Sequence, residues 1–239
     1  IILSTFLLGL LPPEPLRFSL YILAGGCWFY LFTLLQISFR PFRSLHNALE
    51  DYTRAIAEVL RVKGKCYDER ESLDSVYQLS IGLHIALIQK QDQLRSLLLA
   101  DPRALHASAE GKLMLARVIK LIELYEQVSA IHYDYMQIRS KLAPSGLLPQ
   151  IVRMIDLLAA DLEDLAGSFQ NVKAPAGRSV NVQFETLHAE LTSKSSFAAQ
   201  HQDVLRKILK NLNDINSYIQ QLNSAAHTYD DSIHAVDEK

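Results

Sequence analysis

After residue 40, apolar side chains recur at alternating spacings of three and four residues through most of the chain. Such a repeat averages 3.5 residues, so its members share one face of a helix and can form a long seam. The clearest stripes are Phe42, Leu45, Leu49, Tyr52, Ile56 and Val59; Leu148, Ile151, Ile155, Leu158, Leu162, Leu165 and Phe169; and Leu205, Ile208, Leu212, Ile215, Ile219, Leu222, Ala226 and Tyr229. A strand needs a period of two, which no segment shows convincingly. The pattern therefore predicts an all-α fold with a multi-helix bundle.

The segment from about 108 to 142 differs because it carries two apolar seams. One comprises Leu115, Val118, Ile122, Tyr125, Ser129, His132 and Met136; the other comprises Leu121, Leu124, Val128, Ile131, Tyr135, Ile138 and Leu142. A helix that is apolar on two faces is contacted from two sides. We therefore expect one continuous helix here, lying centrally in the bundle.

Proline and glycine mark the breaks between the other helices. A helix is expected over residues 68–100, ending near Asp101 because the following proline disfavours helix in the residue before it. The sequence Pro-Ser-Gly at 144–146 predicts the next break, and the stretch 173–178 predicts an exposed, mobile loop.

The first 39 residues have a different composition from the rest. They contain only two charged side chains, Glu14 and Arg17, and residues 19–39 form a run of 21 without a charge. About 20 helical residues cross a hydrocarbon layer of about 30 Å. The run therefore predicts a full transmembrane helix over residues 18–39.

The preceding residues predict a helical hairpin whose first helix is truncated. Residues 1–11 are apolar but too short to span alone, and the turn at 12–17 contains three prolines. The sequence starts inside this apolar run without an initiator Met, so we expect a fragment of a longer chain. The predicted domains are a membrane segment over 1–39 and a cytoplasmic helical bundle over 40–239.

Basic residues indicate the orientation of the hairpin. The turn carries Arg17 alone, whereas Arg40, Arg43 and further basic residues follow the long apolar run. Because basic residues favour the cytoplasmic side, we expect residues after 40 in the cytoplasm and the apolar run in a bacterial inner (plasma) membrane. A secretory signal peptide would carry its basic flank on the other side.

Ala24, Gly25 and Gly26 form a patch of small residues within the apolar run. Small residues let helix backbones approach closely in lipid. We favour a helix-packing contact for this patch over a kink that lines a substrate path.

Charge and cysteine usage exclude several classes of partner and cofactor. The chain has 24 Lys+Arg against 26 Asp+Glu, so we expect no nucleic-acid partner. Cys27 and Cys66 have no CxxC partner and the eight histidines are scattered, so we expect no metal and no other cofactor.

The chain also lacks the common catalytic motifs, including a Gly-rich phosphate loop, GxSxG and HExxH. His132 lies on a seam and is expected to be a core histidine rather than an acid–base catalyst. Asp161, Glu163 and Asp164 lie close together, and we expect them on the solvated side of their helix. We therefore predict no catalytic residue and no enzyme.

Two passages resemble the FUSC (fusaric acid resistance, aromatic acid exporter-like) family, in particular its YccS-like inner-membrane proteins. The exit from the apolar run is similar in an Arg-Pro element and a Lys-containing, aromatic-Asp motif: Arg40, Pro41, Leu45, Leu49, Lys65, Tyr67 and Asp68. The passage LYEQVSAIHYDYMQI is similar to the family's Glu-Arg-x-Ser-x-x-His-x-x-Tyr signature through Glu126, Ser129, His132 and Tyr135, with Gln127 in place of Arg. The following LLPQIVRMIDLLAADLEDLA is similar in register through Arg153 and Leu157-Leu158.

The resemblance implies an inner-membrane protein with two blocks of membrane helices separated by a cytoplasmic helical domain. The implied function is efflux of small organic acids, aromatic ones among them, with the bundle acting in assembly, gating or regulation. The implied role of the motif residues is structural. The expected partners are membrane lipid, the other transmembrane helices of the full-length chain and further copies in a homo-oligomer. The alternative is a membrane-anchored helical signalling or scaffold protein with a coiled-coil dimer stalk.

Overall fold

The computed structural model describes residues 15–39, 42–100, 102–131, 133–169, 177–195 and 202–237. All regular structure in these residues is helical, which confirms the all-α prediction. The helices are α1 (Pro15–Phe39), α2 (Arg43–Lys65), α3 (Leu73–Ala100), α4 (Pro102–Ala107), α5 (Ala109–Ala130), α6 (Tyr135–Leu142), α7 (Leu148–Ser168), α8 (Gly177–Ser195) and α9 (Gln202–Asp237), with a 3-10 turn at Ala143–Ser145. The chain divides into two compact units, Ile1–Arg43 and Ser44–Lys239.

Helix α1 starts at Pro15, a residue suited to the first turn because its missing N–H has no helical partner there. Every side chain from Ser19 to Phe32 is exposed and uncharged. The helix end and turn predicted over residues 1–17 fall mostly on residues 1–14, which are not among the described residues. At residues 15–17 the structure has the first turn of α1 in place of the predicted inter-helix turn.

Among the described residues, no single helix is both long enough and apolar enough to cross a membrane. The apolar stretch of α1 whose side chains the structure describes is Ser19–Thr33, and it is shorter than a membrane span. One pair of helical segments, Tyr135–Ser145 and Leu148–Ser168, has the length and composition of a membrane span only when the two are taken together, and the pair is bent by 115°. The transmembrane helix over 18–39 stays a prediction.

The second unit buries α2 more thoroughly than the helix expected at the centre. Eleven of the 23 residues of α2 are buried, and Leu49, Tyr52 and Ile56 are fully so, which confirms the first predicted stripe. Helix α2 contacts α7 closely at Gly64, where an added Cβ would lie 3.3 Å from Ile155 Cγ2. Arg61 of α2 also forms a bidentate ion pair with Glu163 of α7.

The single helix predicted over 108–142 is two helices, α5 and α6. Asp134 starts α6 as an N-cap, because its carboxylate accepts a hydrogen bond of 3.0 Å from Gln137 N–H. The second seam is buried through most of its length, whereas Met136 of the first seam is 73% exposed. The N-cap at Asp134 therefore starts a new helix, although the apolar residues keep a helical spacing through the whole segment.

The C-terminal helices complete the bundle. Helix α7 packs on α8 and α9, and α9 also packs on α5. All seven residues of the predicted α7 stripe are buried, as are the six from Leu205 to Leu222 on α9. The last two of the α9 stripe, Ala226 and Tyr229, have side chains outside the described part.

The predicted breaks are confirmed in part. Helix α3 begins at Leu73 rather than 68, because residues 66–72 form turns in which Asp68 Oδ1 accepts from Arg70 N–H at 3.0 Å. Gly146 adopts φ +66°, so the break at 144–146 uses the residue that tolerates this conformation best. The loop predicted over 173–178 lies outside the described residues up to 176, and Gly177 already begins α8.

Candidate functional site

Three helix ends meet around the family-like motif: the C-termini of α2 and α5 and the N-terminus of α6. We name this cluster the α2–α6 junction, and its residues are Lys63, Cys66, Tyr67, Tyr135 and Arg139. Its hydrogen bonds join residues that are separated by 65–74 positions in the chain. The junction therefore fixes α2 to α5 and α6.

Lys63 covers the last carbonyl groups of α5. Its Nζ donates to Ile131 O at 3.0 Å and to Val128 O. The last carbonyls of a helix lack helical partners and carry the negative end of its dipole, so a cation stabilises them. Burial lowers the pKa of Lys63 to about 8, which still leaves the amine mostly protonated at neutral pH.

Arg139 performs the reciprocal role for α2. Its Nε donates to Cys66 O at 2.8 Å, one terminal nitrogen donates to Glu71 O at 2.8 Å, and the other donates to Lys65 O at 3.0 Å. The planar guanidinium suits this arrangement because its donors point in fixed, divergent directions. Lys63 of α2 thus covers carbonyls at the end of α5, and Arg139 of α6 covers carbonyls at the end of α2 and in the turn after it.

Aromatic side chains fill the space beside these cations. The Tyr67 and Tyr135 rings meet edge to face with centroids 5.3 Å apart, and Tyr133 meets Tyr135 in the same way at 6.2 Å. The Tyr133 hydroxyl accepts a hydrogen bond from Asn211 of α9. Burial raises the pKa of Tyr67 and of Tyr135, so both phenols remain neutral over the physiological range.

The Cys66 thiol is part of the same packing. It is 4% exposed, and burial raises its pKa. Nucleophilic and metal-binding cysteines act as thiolates, which this environment disfavours. No group of three His, Cys, Asp or Glu residues suited to a metal ion occurs in the described ranges. The chemistry that the junction supports is positioning of helices.

The structure brings together only part of the predicted motif. Tyr135 is buried in the junction, whereas Glu126 is exposed on α5 and Ser129 is half-buried there. The remaining motif residues, Arg40, Pro41 and His132, lie outside the described residues. The small-residue patch of Ala24, Gly25 and Gly26 is exposed on α1, and an added Cβ at either glycine would meet nothing within 4 Å.

Asp161 contradicts the prediction of a solvated acidic cluster. Its side chain is 1% exposed and its Oδ2 accepts from Gln220 Nε2 of α9 at 3.0 Å. Burial raises the pKa of Asp161 to about 6, although hydrogen bonds from Asn223 and Gln220 act in the opposite direction. The signal was present in the sequence: residue 161 lies three positions after Leu158 and four before Leu165. It therefore shares their helix face.

The contacts that Arg139 makes in the junction can be tested by substitution. We expect Arg139→Lys to lower the free energy of unfolding by about 1–2 kcal/mol, because one ammonium cannot reach three divergent carbonyls. Urea unfolding of the purified chain in detergent measures this loss. Arg153→Lys is the matched control, since Arg153 is exposed on α7, and should change stability by less than about 0.5 kcal/mol. Equal effects would contradict the assigned role of Arg139.

Sequence similarity connects the chain to one family and to a longer relative. A family profile described as "FUSC-like inner membrane protein yccS" matches residues 4–222. An uncharacterized protein of Haemophilus influenzae is 26% identical over 209 residues, which cover 84% of this chain and 29% of the relative. The chain thus spans less than a third of the length of that relative. No solved structure matches the chain.

Proposed function

The chain belongs to the family of the FUSC-like inner membrane protein yccS, and from this membership we propose that it is a segment of an inner-membrane efflux transporter. The membership confirms the resemblance found in the sequence. We propose small organic acids, aromatic ones among them, as the exported compounds. The bundle of α2–α9 has a role in assembly, gating or regulation and carries out no catalysis of its own. The match over residues 4–222 is the observation that carries this proposal.

Helix α1 supports the membrane part of the proposal. Its side chains from Ser19 to Phe32 are exposed and uncharged, and such a surface suits lipid or other membrane helices better than water. Ala24, Gly25 and Gly26 form a small-residue patch at which another transmembrane helix of the longer chain would pack. In this proposal residues after 40 lie in the cytoplasm.

The α2–α6 junction supports a gating role for the bundle. Helix α2 begins four residues after α1 ends in the chain, and its C-terminus is held by Lys63 and Arg139. A displacement of α2 would therefore move α5 and α6 with it. Nothing catalytic is required for that role.

Export is tested with the full-length gene and its deletion. We expect the deletion strain to accumulate labelled aromatic carboxylic acids such as benzoate. We also expect it to grow less well than the wild type in media that contain such acids. Complementation with the wild-type gene should restore both, whereas Gly26→Leu should restore them poorly because it obstructs close helix packing. Ile22→Leu, on the exposed surface of the same helix, is the control and should complement fully. Unchanged accumulation and growth for every compound would overturn the export proposal.

Orientation is tested by labelling introduced cysteines in intact spheroplasts. In a Cys27→Ala background, Lys207→Cys on the exposed face of α9 should resist a membrane-impermeant maleimide until the cells are permeabilised. Arg17→Cys, in the first turn of α1 on the other side of the predicted span, should react at once. Labelling of Lys207→Cys without permeabilisation would place the bundle outside the cytoplasm.

A further inference from the structure

Helix α3 has an apolar surface that the described helices leave uncovered. Tyr77, Ile81, Ile85 and Ile88 are 42%, 57%, 55% and 51% exposed, and we name these four residues the α3 stripe. Their spacings of four, four and three place them on one helix face. The opposite face holds Val76, Leu87 and Leu94, which are buried against the rest of the unit.

The α3 stripe has the geometry of a helix-pairing seam rather than of scattered surface residues. Its spacing continues into Asp74 before Tyr77 and into Asp92 and Arg95 after Ile88. A seam of this spacing keeps facing the same partner helix along its whole length. Since α3 has 28 residues, it offers about 42 Å of length for such a contact.

The charges at the two ends of the seam select the partner and its direction. If two copies paired in parallel, Asp74 would face Asp74, and Arg95 would face Arg95, which is repulsive in both places. An antiparallel pair centred beside Ile85 instead places Asp74 opposite Arg95 of the partner subunit, and this contact occurs twice by symmetry. The surface is therefore self-complementary in one direction only.

We propose that the α3 stripe is the contact surface for a second copy of this chain, with the two α3 helices antiparallel. Around the two-fold axis Ile85 faces its own counterpart, and Ile81 faces Ile88 of the partner subunit. Tyr77 comes opposite Asp92 of the partner subunit, where its hydroxyl donates to the carboxylate.

Cysteine cross-linking of the full-length protein in its native membrane tests the proposal. In a Cys27→Ala background, Ile85→Cys should form a disulfide-linked dimer under mild oxidation because the two copies meet at the axis. Leu99→Cys lies on the same face and is 68% exposed, yet antiparallel pairing carries it far from its counterpart, so it should yield at least tenfold less dimer. Equal dimer at both positions indicates parallel pairing and overturns the proposal.

A charge exchange distinguishes self-pairing from the other occupants. Arg95→Asp should lower the yield of Ile85→Cys dimer about tenfold, since it places two acidic groups opposite each other, and Asp74→Arg added to it should restore the yield. No dimer from Ile85→Cys at all overturns the proposal. It would mean that lipid or another segment of the longer chain covers the α3 stripe. Dimer that forms but ignores both charge changes also overturns the antiparallel arrangement.

Discussion

Gly111→Ala is expected to destabilise the protein by about 3 kcal/mol, although alanine is the better helix former at an ordinary position. Gly111 lies in the first turn of α5, where the chain turns out of α4. A Cβ added at this residue would lie 2.6 Å from Leu105 Cα and 2.8 Å from its carbonyl carbon. These are backbone atoms, so no side-chain rotation relieves the overlap.

The local hydrogen bonds keep α5 from moving away. Ser108 is the N-cap of α5, and its Oγ accepts a hydrogen bond of 2.9 Å from Gly111 N–H. Rotating the first turn to make room for a methyl group would break this bond, and moving α4 instead would expose Leu105, which is buried. Either adjustment adds to the cost of the overlap itself.

Urea unfolding of the wild type and variants in detergent measures the difference. Gly167→Ala is the matched control, because Gly167 lies in α7 and an added Cβ there would meet nothing within 4 Å. It should be neutral or stabilise by up to about 1 kcal/mol through helix propensity. Two alanine variants that behave alike would show that α4 and α5 do not approach as closely as described.

The helices that were predicted correctly are those whose burial follows local spacing. The stripes of α2, α7 and α9 were found because three-and-four spacing is a property of neighbouring residues, and one buried face satisfies it. The prediction of one continuous helix over 108–142 was wrong because the helical spacing of apolar residues persists through the break. The partner that covers the end of α5 is Lys63, which is 65 residues away from Val128.

The candidate site was predictable to a smaller extent. Tyr135 was identified by the motif, but Lys63 and Arg139 act on backbone carbonyls, and no side-chain pattern in the sequence marks such partners. Helix α8 was not predicted, although its sequence carries the signal: the apolar residues Val180, Phe184, Leu187 and Leu191 recur at spacings of four, three and four. Phe184 and Leu191 are buried in the structure.

Asp161 is a buried carboxylate whose ionisation should change the stability of the protein between about pH 4 and pH 6. Burial raises its pKa from 3.8 to about 6 in the folded protein, because the carboxylate lies between α7 and α9. The unfolded chain holds its proton less tightly, so protonation favours folding. This stabilisation is complete below about pH 4 and is lost as the pH rises through 6. From the shift in pKa, the loss is about 2–3 kcal/mol.

Asp161→Asn is therefore expected to stabilise the protein by about 2 kcal/mol at pH 8, and to leave it unchanged or slightly less stable at pH 4.5. The amide removes the ionisation while keeping an oxygen that accepts from Gln220. Melting temperatures of the wild type and the variant, measured from pH 4.5 to pH 8, should diverge as the pH rises to about 6 and then stay a constant distance apart. Asp164→Asn is the control, because Asp164 is exposed on the same helix and acts on Asp161 only through its charge, so its replacement should change the stability much less than Asp161→Asn does.

The pH dependence separates this explanation from a simple packing effect. If Asn were merely a better fit between α7 and α9, its advantage over Asp would be nearly constant across the pH range. If a nearby cation compensated the Asp161 carboxylate, the folded pKa would fall and the variant would lose stability at pH 8. A gain that grows between about pH 4 and pH 6 and then stays constant is the result that burial of an uncompensated carboxylate requires, since the unfolded chain loses its proton first and only the ionised form is penalised in the folded protein.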